Sequence, residues 1–133
     1  MKSKLRKIVI DNLMYLYIVS DKYNSESQTN TLTVKVFLEG YKPTPLTIDF
    51  ITLDHYFMGQ ILKSGVKLIN RMRNIEDTVN LNEPKYIREL ILQGQKNGWK
   101  GTNKFANQNG LEYLTQLGYE TDILQPVKIN LVH

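Results

Sequence analysis

The sequence of 133 residues has no cysteine, a single tryptophan and only two histidines. The missing cysteines exclude disulfide bonds, thiolate catalysis and cysteine-ligated zinc. One histidine is the last residue of the sequence, and no His-x-x-x-His pair with the spacing of metal ligands is present. We therefore expect neither a dedicated metal site nor a bound cofactor.

Long apolar runs are also missing. A membrane-spanning helix needs about 20 consecutive apolar residues, and no stretch of this chain approaches that length. The basic N-terminus is followed by a short apolar run that stops at Asp11-Asn12. A signal peptide instead needs an unbroken apolar run and a cleavage site. We expect a cytoplasmic protein that does not enter a membrane.

The composition that remains is that of an ordinary globular protein. Hydrophobic residues make up 41% of the chain and charged residues 23%, which suits a chain of this length with one hydrophobic core. No repeat, low-complexity tract or linker divides the chain, so residues 1–133 are predicted to form a single domain. The net charge of +4 permits attraction to nucleic acid or to an acidic protein, but a basic excess of this size selects neither.

Alternating apolar residues predict an antiparallel sheet. The runs 5–10 and 13–19 are separated only by Asp11-Asn12, two residues that tolerate the positive φ angles of a tight hairpin. Segments 32–38 and 46–50 carry an apolar residue at every second position. This period indicates strands with one buried face and one solvent-facing face.

The run 13–19 differs from the other strands because it is apolar on both faces. Met14, Leu16 and Ile18 share one face. The opposite face carries Tyr15, Tyr17 and Val19. Such a strand is typically covered by the core on one side and partly covered on the other.

The best helix of the sequence is predicted over residues 84–97. Asn82 is a candidate cap, Pro84 suits the first turn, and Asn97-Gly98 supplies a left-handed stop. A shorter helix is predicted at about 110–117. The predicted class is α+β, with an antiparallel sheet of about four to six strands and both helices packed on one of its faces.

The other segments have weaker patterns. Residues 21–30 are polar and are expected to form an exposed connection. Within 52–82 the sequence is compatible with a short helix or a covering loop, a short strand near Val66, and otherwise irregular surface chain that includes Glu76-Asp77. Residues 127–131 alternate and could add an edge strand.

Hydrolytic catalysis has few candidate residues. Nucleophilic hydrolysis needs an activated nucleophile, a base and a group that orients the base, and no Gly-x-Ser-x-Gly motif is present. The catalytic candidates are His55 with the carboxylates of Asp54 and Asp49. A small hydrolase-type enzyme that uses these residues is one alternative, and a solvent-exposed histidine at the end of a strand is the other.

A basic segment surrounds the only tryptophan. Trp99 lies among Lys96, Lys100 and Lys104, and an aromatic ring flanked by cations can stack on a base while the lysines contact phosphates. The alternative is a tryptophan that folds back over the end of the preceding helix, beside solvated lysines. The first interpretation predicts a nucleic-acid-binding protein, and the second predicts a structural residue.

The order of these elements resembles a group of uncharacterised small bacterial proteins. The shared pieces are an N-terminal hairpin, a pair of strands, a helix opened by proline and ended by Asn-Gly-Trp, and a short helix of the form Gly-Leu-x-x-Leu. In this chain they correspond to 7–19, 32–50, 82–99 and 110–114. The resemblance implies a bacterial source and one continuous fold through residue 119, and it implies no activity and no site residues.

These observations favour a non-enzymatic module that binds another protein through its sheet face or a helix edge. Bacterial immunity proteins, which neutralise a toxin, are one example of such compact domains, by analogy of size and class alone. The nucleic-acid-binding protein and the hydrolase remain the alternatives. The sequence leaves the identity of the partner and the oligomeric state open.

Overall fold

The computed structural model describes residues 4–53 and 60–125. In chain order the elements are β1 (Arg6–Ile10), β2 (Leu13–Asn24), β3 (Thr29–Leu38), β4 (Leu46–Leu53), α1 (Ile61–Ser64), β5 (Val66–Asn70), β6 (Ile75–Val79), α2 (Pro84–Lys96), β7 (Gln108–Asn109) and α3 (Gly110–Gln116), followed by a 3-10 turn at Asp122–Leu124. No helix within these residues is long and apolar enough to cross a membrane.

The main sheet has five strands in the order β1-β2-β3-β4-β7. Its neighbouring strands are antiparallel except for β7, which pairs with β4 in parallel. Strands β5 and β6 form a separate antiparallel pair. The predicted α+β class is confirmed, and the sheet is mostly rather than wholly antiparallel.

The first hairpin follows from two residues. Asp11 and Asn12 have φ angles of 50° and 67°, the left-handed conformation that a two-residue turn requires and that short polar side chains tolerate. Ile10 pairs with Leu13 across this turn, and the register continues to Arg6 and Tyr17. The predicted hairpin is confirmed.

The second hairpin is longer than the sequence indicated. Residues 21–30, predicted as an exposed connection, instead extend β2 to Asn24 and begin β3 at Thr29, so that only four residues form the turn. The predicted exposure is confirmed for residues 21–28. The prediction of an irregular connection was wrong for the two ends of the segment, because backbone pairing does not need apolar side chains on either strand. Thr29 and Asn30 are buried in spite of their polarity.

The main core lies on one face of the sheet, which we call the covered face. Leu46 and Phe50 of β4 point into it and are 0% exposed. A Cβ atom on Gly94 of α2 would lie 2.6 Å from the Leu46 side chain, and a Cβ atom on Gly110 of α3 would lie 2.3 Å from the Phe50 ring. Both helices therefore pack directly on the covered face, as predicted.

Glycine ends both helices. Gly98 follows α2 with a φ of 116°, and the Trp99 amide donates to the Gly94 carbonyl at 2.9 Å, the bond pattern of a Schellman cap. Gly118 and Tyr119 repeat this arrangement after α3. At the start of α2 the cap position is Glu83 and no side chain caps it, so the expected capping role of Asn82 is corrected.

Residues 61–79, which precede α2, are more regular than predicted. A strand near Val66 is confirmed as β5, but residues 75–79 form its partner β6 rather than irregular chain. The alternation of β6 is weak in the sequence because only Val79 of this strand is fully buried. The predicted edge strand at 127–131 lies outside the described residues.

Candidate interaction surface

Strand β2 divides its side chains between the two faces of the sheet. Tyr15 and Tyr17 enter the covered face and are 3% and 1% exposed. Met14, Leu16 and Ile18 alternate with them and are only partly buried. These three apolar residues therefore lie on the opposite side of the sheet, which we call the open face.

The strand register gathers further apolar side chains around them. Residues paired across neighbouring strands project from the same face. Leu16 is paired with Phe37 of β3, and Met14 is paired with Val9 of β1. We call Val9, Met14, Leu16, Ile18 and Phe37 the open-face patch.

The open-face patch is distinct from the core. None of its five members belongs to the core cluster on the covered face, and α2 and α3 pack on that other face. Val9 is 55% exposed, whereas Phe37 is only 7% exposed. An apolar cluster with a shielded aromatic centre and an exposed margin is typical of a surface that binds another protein.

Two lysines border the patch within the same rows. Lys7 is paired with Leu16, and Lys35 is paired with Ile18. Neither lysine forms an ion pair with any other residue in the ranges 4–53 and 60–125. Both lysines are exposed, and they favour a partner that brings carboxylates to the margin of an apolar contact.

The carboxylate of Asp49 also projects from the open face, in the row of paired residues next to that of Ile18. Its oxygens accept hydrogen bonds from the Thr33 hydroxyl at 2.7 Å and from the Asn107 amide at 3.3 Å. Asp49 lines a cleft of about 420 Å³ together with Ile51 and Leu111. The other two catalytic candidates, Asp54 and His55, lie outside the described residues, so the hydrolase alternative stays a prediction.

The residues proposed for nucleic-acid binding do not present an aromatic platform. Trp99 is 1% exposed, its indole N–H donates to the Thr44 carbonyl at 3.1 Å, and its ring packs against Tyr15 with the centroids 5.9 Å apart. Base stacking needs a free ring face. Lys96, Lys100 and Lys104 are exposed, but they surround a tryptophan that serves the helix end, as the structural interpretation expected.

A cluster of charged and hydroxyl side chains joins β6 to the residues after α3. The Asp77 carboxylate accepts a hydrogen bond from the Tyr119 hydroxyl at 2.8 Å, and Arg73 donates to the same hydroxyl at 2.7 Å and to Asp77 at 3.4 Å. Lys85 of α2 lies 3.9 Å from Asp77. Asp77 is thus part of a connected network, which corrects its interpretation as a solvated loop charge.

The network fixes the protonation state of its members. Burial alone raises the pKa of Asp77, but the Tyr119 and Tyr86 hydroxyls and the charges of Lys85 and Arg73 outweigh it and hold that pKa below its ordinary value. Burial and the neighbouring Asp77 raise the pKa of Tyr119 to about 12. Near neutral pH, Asp77 is therefore ionised and Tyr119 is protonated, so the hydrogen bond between them is kept. We call these side chains the Asp77 network.

We expect the stability of the fold to fall at acid pH through Asp77. Because its folded pKa lies below the unfolded value of about 3.9, its contribution is complete above about pH 4 and is lost as the pH falls through the folded pKa. Asp77→Asn should cost about 1–2 kcal/mol at pH 7 and should flatten the acid limb of the unfolding free energy. Urea titrations at pH 7 and pH 3 measure both effects, with Glu76→Gln, an exposed neighbour, as the control.

The stability of the fold should also fall at alkaline pH, through Tyr119 of the Asp77 network. The raised pKa of Tyr119 means that its contribution is complete below about pH 10 and is lost as the pH rises through about 12. Tyr119→Phe should remove the part of this loss that comes from Tyr119, as urea titrations at pH 9 and pH 11 would show. For the acid range, the role given to Asp77 would be contradicted if Asp77→Asn lost as much stability between pH 7 and pH 3 as the wild type.

The open-face patch was only partly visible in the sequence. The two-sided apolar pattern of 13–19 was its signal, but the sequence did not show that the face with Tyr15 and Tyr17 would be the core side. Phe37 was missed because alternation placed it on the solvent-facing side of β3. Its place beside Leu16 follows from the pairing of β3 with β2, which no local pattern reveals.

Within residues 4–53 and 60–125, no group of three or more acidic or histidine side chains could hold a metal ion. Comparison of the chain with protein-family models gives no match, and comparisons with curated proteins and with solved structures give none either. The geometry of the chain itself is therefore the basis for a functional proposal.

Proposed function

We propose that this protein is a non-enzymatic interaction module that binds an acidic protein partner through the open-face patch, in the cytoplasm of a bacterium. The observation that carries the proposal is the apolar cluster on the sheet face opposite the core. A role like that of an immunity protein, which occupies a partner and blocks it, is compatible with this surface by analogy only.

The composition of the patch supports binding to a protein. Aromatic residues and methionine are enriched at the centre of protein interfaces, where charged residues are depleted, and Phe37 and Met14 follow this pattern. A few centrally placed side chains usually carry most of the binding free energy. Leu16 occupies this position, because it lies between Lys7 and Phe37 in one row.

The lysines at the margin indicate the charge of the partner. Steering by Lys7 and Lys35 adds to the attraction that the net charge of +4 exerts on an acidic molecule. Such attraction is screened by salt over a distance of about 10 Å at 0.1 M ionic strength. The association should therefore be faster at low salt, while the apolar contact keeps the complex together at physiological salt.

Leu16→Glu is expected to abolish partner binding without unfolding the protein. The substitution places a carboxylate in the apolar centre and opposes an acidic partner, and loss of a central contact typically costs about 2 kcal/mol or more, close to 30-fold in affinity. Tagged wild-type and variant proteins would be used to recover partners from the native host. Binding would then be measured with the purified partner across a salt series.

Ile123→Glu is the matched control, since it also replaces an aliphatic side chain by glutamate, at a site that is 66% exposed and outside the patch. It should retain the wild-type affinity. A partner that binds Leu16→Glu as well as it binds wild type would remove the open-face patch from consideration. Binding of nucleic acid at physiological salt, unchanged by Leu16→Glu, would instead favour the nucleic-acid alternative.

A further inference from the structure

Strand β1 is an edge of the main sheet, and the direction of its backbone groups can be assigned. The two-residue turn at Asp11-Asn12 makes Ile10 and Leu13 the hydrogen-bonded pair that closes the hairpin. Hydrogen-bonded and non-hydrogen-bonded pairs alternate along an antiparallel ladder. The next pair, Val9 with Met14, is therefore of the non-hydrogen-bonded type.

A separate observation supports this assignment. The Met14 carbonyl accepts a hydrogen bond from the Glu39 amide at 3.0 Å, so the backbone groups of Met14 are directed to the side of β3 and away from β1. The backbone N–H and C=O groups of Val9 are accordingly directed away from β2, and the same holds for Lys7 two residues earlier. Among the described parts of the chain, no strand pairs with this outer edge of β1.

The outward backbone groups and the open-face side chains belong to the same residues. Val9 is 55% exposed and is a member of the open-face patch, and Lys7 borders the patch beside Leu16. A strand added to β1 would thus continue the open face without a break. Its own side chains on that face would lie beside Val9 and Lys7.

We propose that the outer edge of β1 accepts an extended segment of the acidic partner as an antiparallel sixth strand of the sheet. This inference rests on the proposed function and specifies how the partner is held. Main-chain bonds to Lys7 and Val9 supply affinity, and the side chains of alternate residues supply specificity, as in other complexes formed by strand addition. The added strand has an apolar residue opposite Val9 and, two residues later, a carboxylate opposite Lys7.

Charge distinguishes this partner from a second copy of the chain. The segment from residue 4 to residue 10 contains Lys4, Arg6 and Lys7 and no carboxylate. Two copies paired along this edge would bring six cations together, and charged side chains on an edge strand are a common protection against such self-pairing. An acidic strand converts the same cations into a source of attraction.

Amide hydrogen exchange in the free protein tests whether the edge is open. The Lys7 and Val9 amides should exchange at least about 100-fold faster than those of Ile8 and Ile10, which donate within the hairpin. Protection of Lys7 and Val9 would overturn the inference. Protection that disappears on dilution would identify a second copy as the occupant, and protection that persists would identify the chain itself.

Two peptides then test the chemistry of the occupant. The probes are acetyl-Thr-Val-Thr-Glu-Thr-Val-Thr-amide and the same peptide with lysine in place of glutamate, followed by amide chemical shifts in NMR titrations. The glutamate peptide should shift the signals of β1 and bind about fivefold more tightly than the lysine peptide, because a charge opposite Lys7 is attracted in one case and repelled in the other. Lys7→Glu should reverse this order, and an unchanged order would contradict the inference.

A proline substitution separates this inference from the proposed function. Val9→Pro removes an outward N–H that no strand within the described residues uses, a change that edge strands tolerate, and Val9→Ala trims the side chain but keeps the N–H. We expect Val9→Pro to lose at least about 10-fold in affinity for both the glutamate peptide and the purified partner, with Val9→Ala closer to wild type. If Leu16→Glu abolishes partner binding while a folded Val9→Pro retains it, the open-face patch stands and strand addition at β1 is wrong.

Discussion

Trp99→Ala should lower the free energy of unfolding by about 3–5 kcal/mol, the usual cost of removing a large aromatic side chain from a core. Trp99 is 1% exposed and is the largest fully buried side chain of the described residues. Its ring packs against Tyr15 of β2, and its backbone amide closes the end of α2 on Gly94. One residue therefore joins the helix end, the sheet and the turn before β4.

Two further variants separate the contributions of Trp99. Trp99→Phe keeps most of the apolar volume but leaves the Thr44 carbonyl without its indole donor, which should cost about 1–3 kcal/mol. Lys100→Ala, at an exposed neighbouring position, should stay within about 0.5 kcal/mol of wild type. Urea unfolding followed by far-ultraviolet circular dichroism measures all three, and a loss below about 1 kcal/mol for Trp99→Ala would mean that the ring is not buried in solution.

The buried tryptophan also affects the nucleic-acid alternative. Trp99 is the only tryptophan of the chain, so its fluorescence reports on this site alone. A ring enclosed by Tyr15 and Thr44 should be shielded from acrylamide. Nucleic acid that binds through Lys96, Lys100 and Lys104 without exposing the ring should leave this shielding unchanged, and stacking would require that the ring first leaves Tyr15 and Thr44.

Gly110→Ala should destabilise the protein by about 3 kcal/mol through overpacking. Gly110 is the first residue of α3, where alanine would otherwise favour the helix by roughly 1 kcal/mol. A Cβ atom at this position would lie 2.3 to 2.6 Å from three atoms of the Phe50 ring. Phe50 is 0% exposed in the core, so the ring cannot rotate away without displacing its neighbours. The steric term therefore exceeds the gain in helix propensity.

The sign of this effect is the decisive part of the measurement. Gly40→Ala is the matched control, because a Cβ atom on Gly40 would contact nothing within 4 Å and only its φ of 90° would be strained, at a cost of about 1 kcal/mol. The double variant Gly110→Ala with Phe50→Leu should lose less stability than the two single costs combined, since the smaller side chain relieves the clash. Stabilisation by Gly110→Ala would show that α3 does not pack directly on β4.

Local chemistry accounts for the elements that were predicted correctly. The turn at Asp11-Asn12 follows from two residues that accept a positive φ, and the ends of α2 and α3 follow from Gly98 and Gly118. The strands at 32–38 and 46–50 followed from a period of two. Each of these signals is contained in a few consecutive residues, so the sequence determined them without knowledge of the fold.

The predictions that failed concerned segments whose structure depends on distant partners. Residues 21–24 and 29–30 form strand because β2 and β3 pair up to the turn between them, and β6 forms because β5 lies beside it. The Asp77 network joins residues that are 42 positions apart in the chain, because the Tyr119 hydroxyl donates to the Asp77 carboxylate. Polar strands and long-range hydrogen bonds produce no periodic pattern of apolar residues in the sequence.

The sequence by itself determined the α+β class, the first hairpin, the two alternating strands and the limits of the two longer helices. Only the tertiary structure decided that Tyr15 and Tyr17 belong to the core, that Phe37 is shielded on the open face, and that Lys7 borders an apolar patch. The physical reason is that the alternation along one strand shows which side chains share a face. The pairing with neighbouring strands, and the packing of helices on the sheet, decide which residues cover that face.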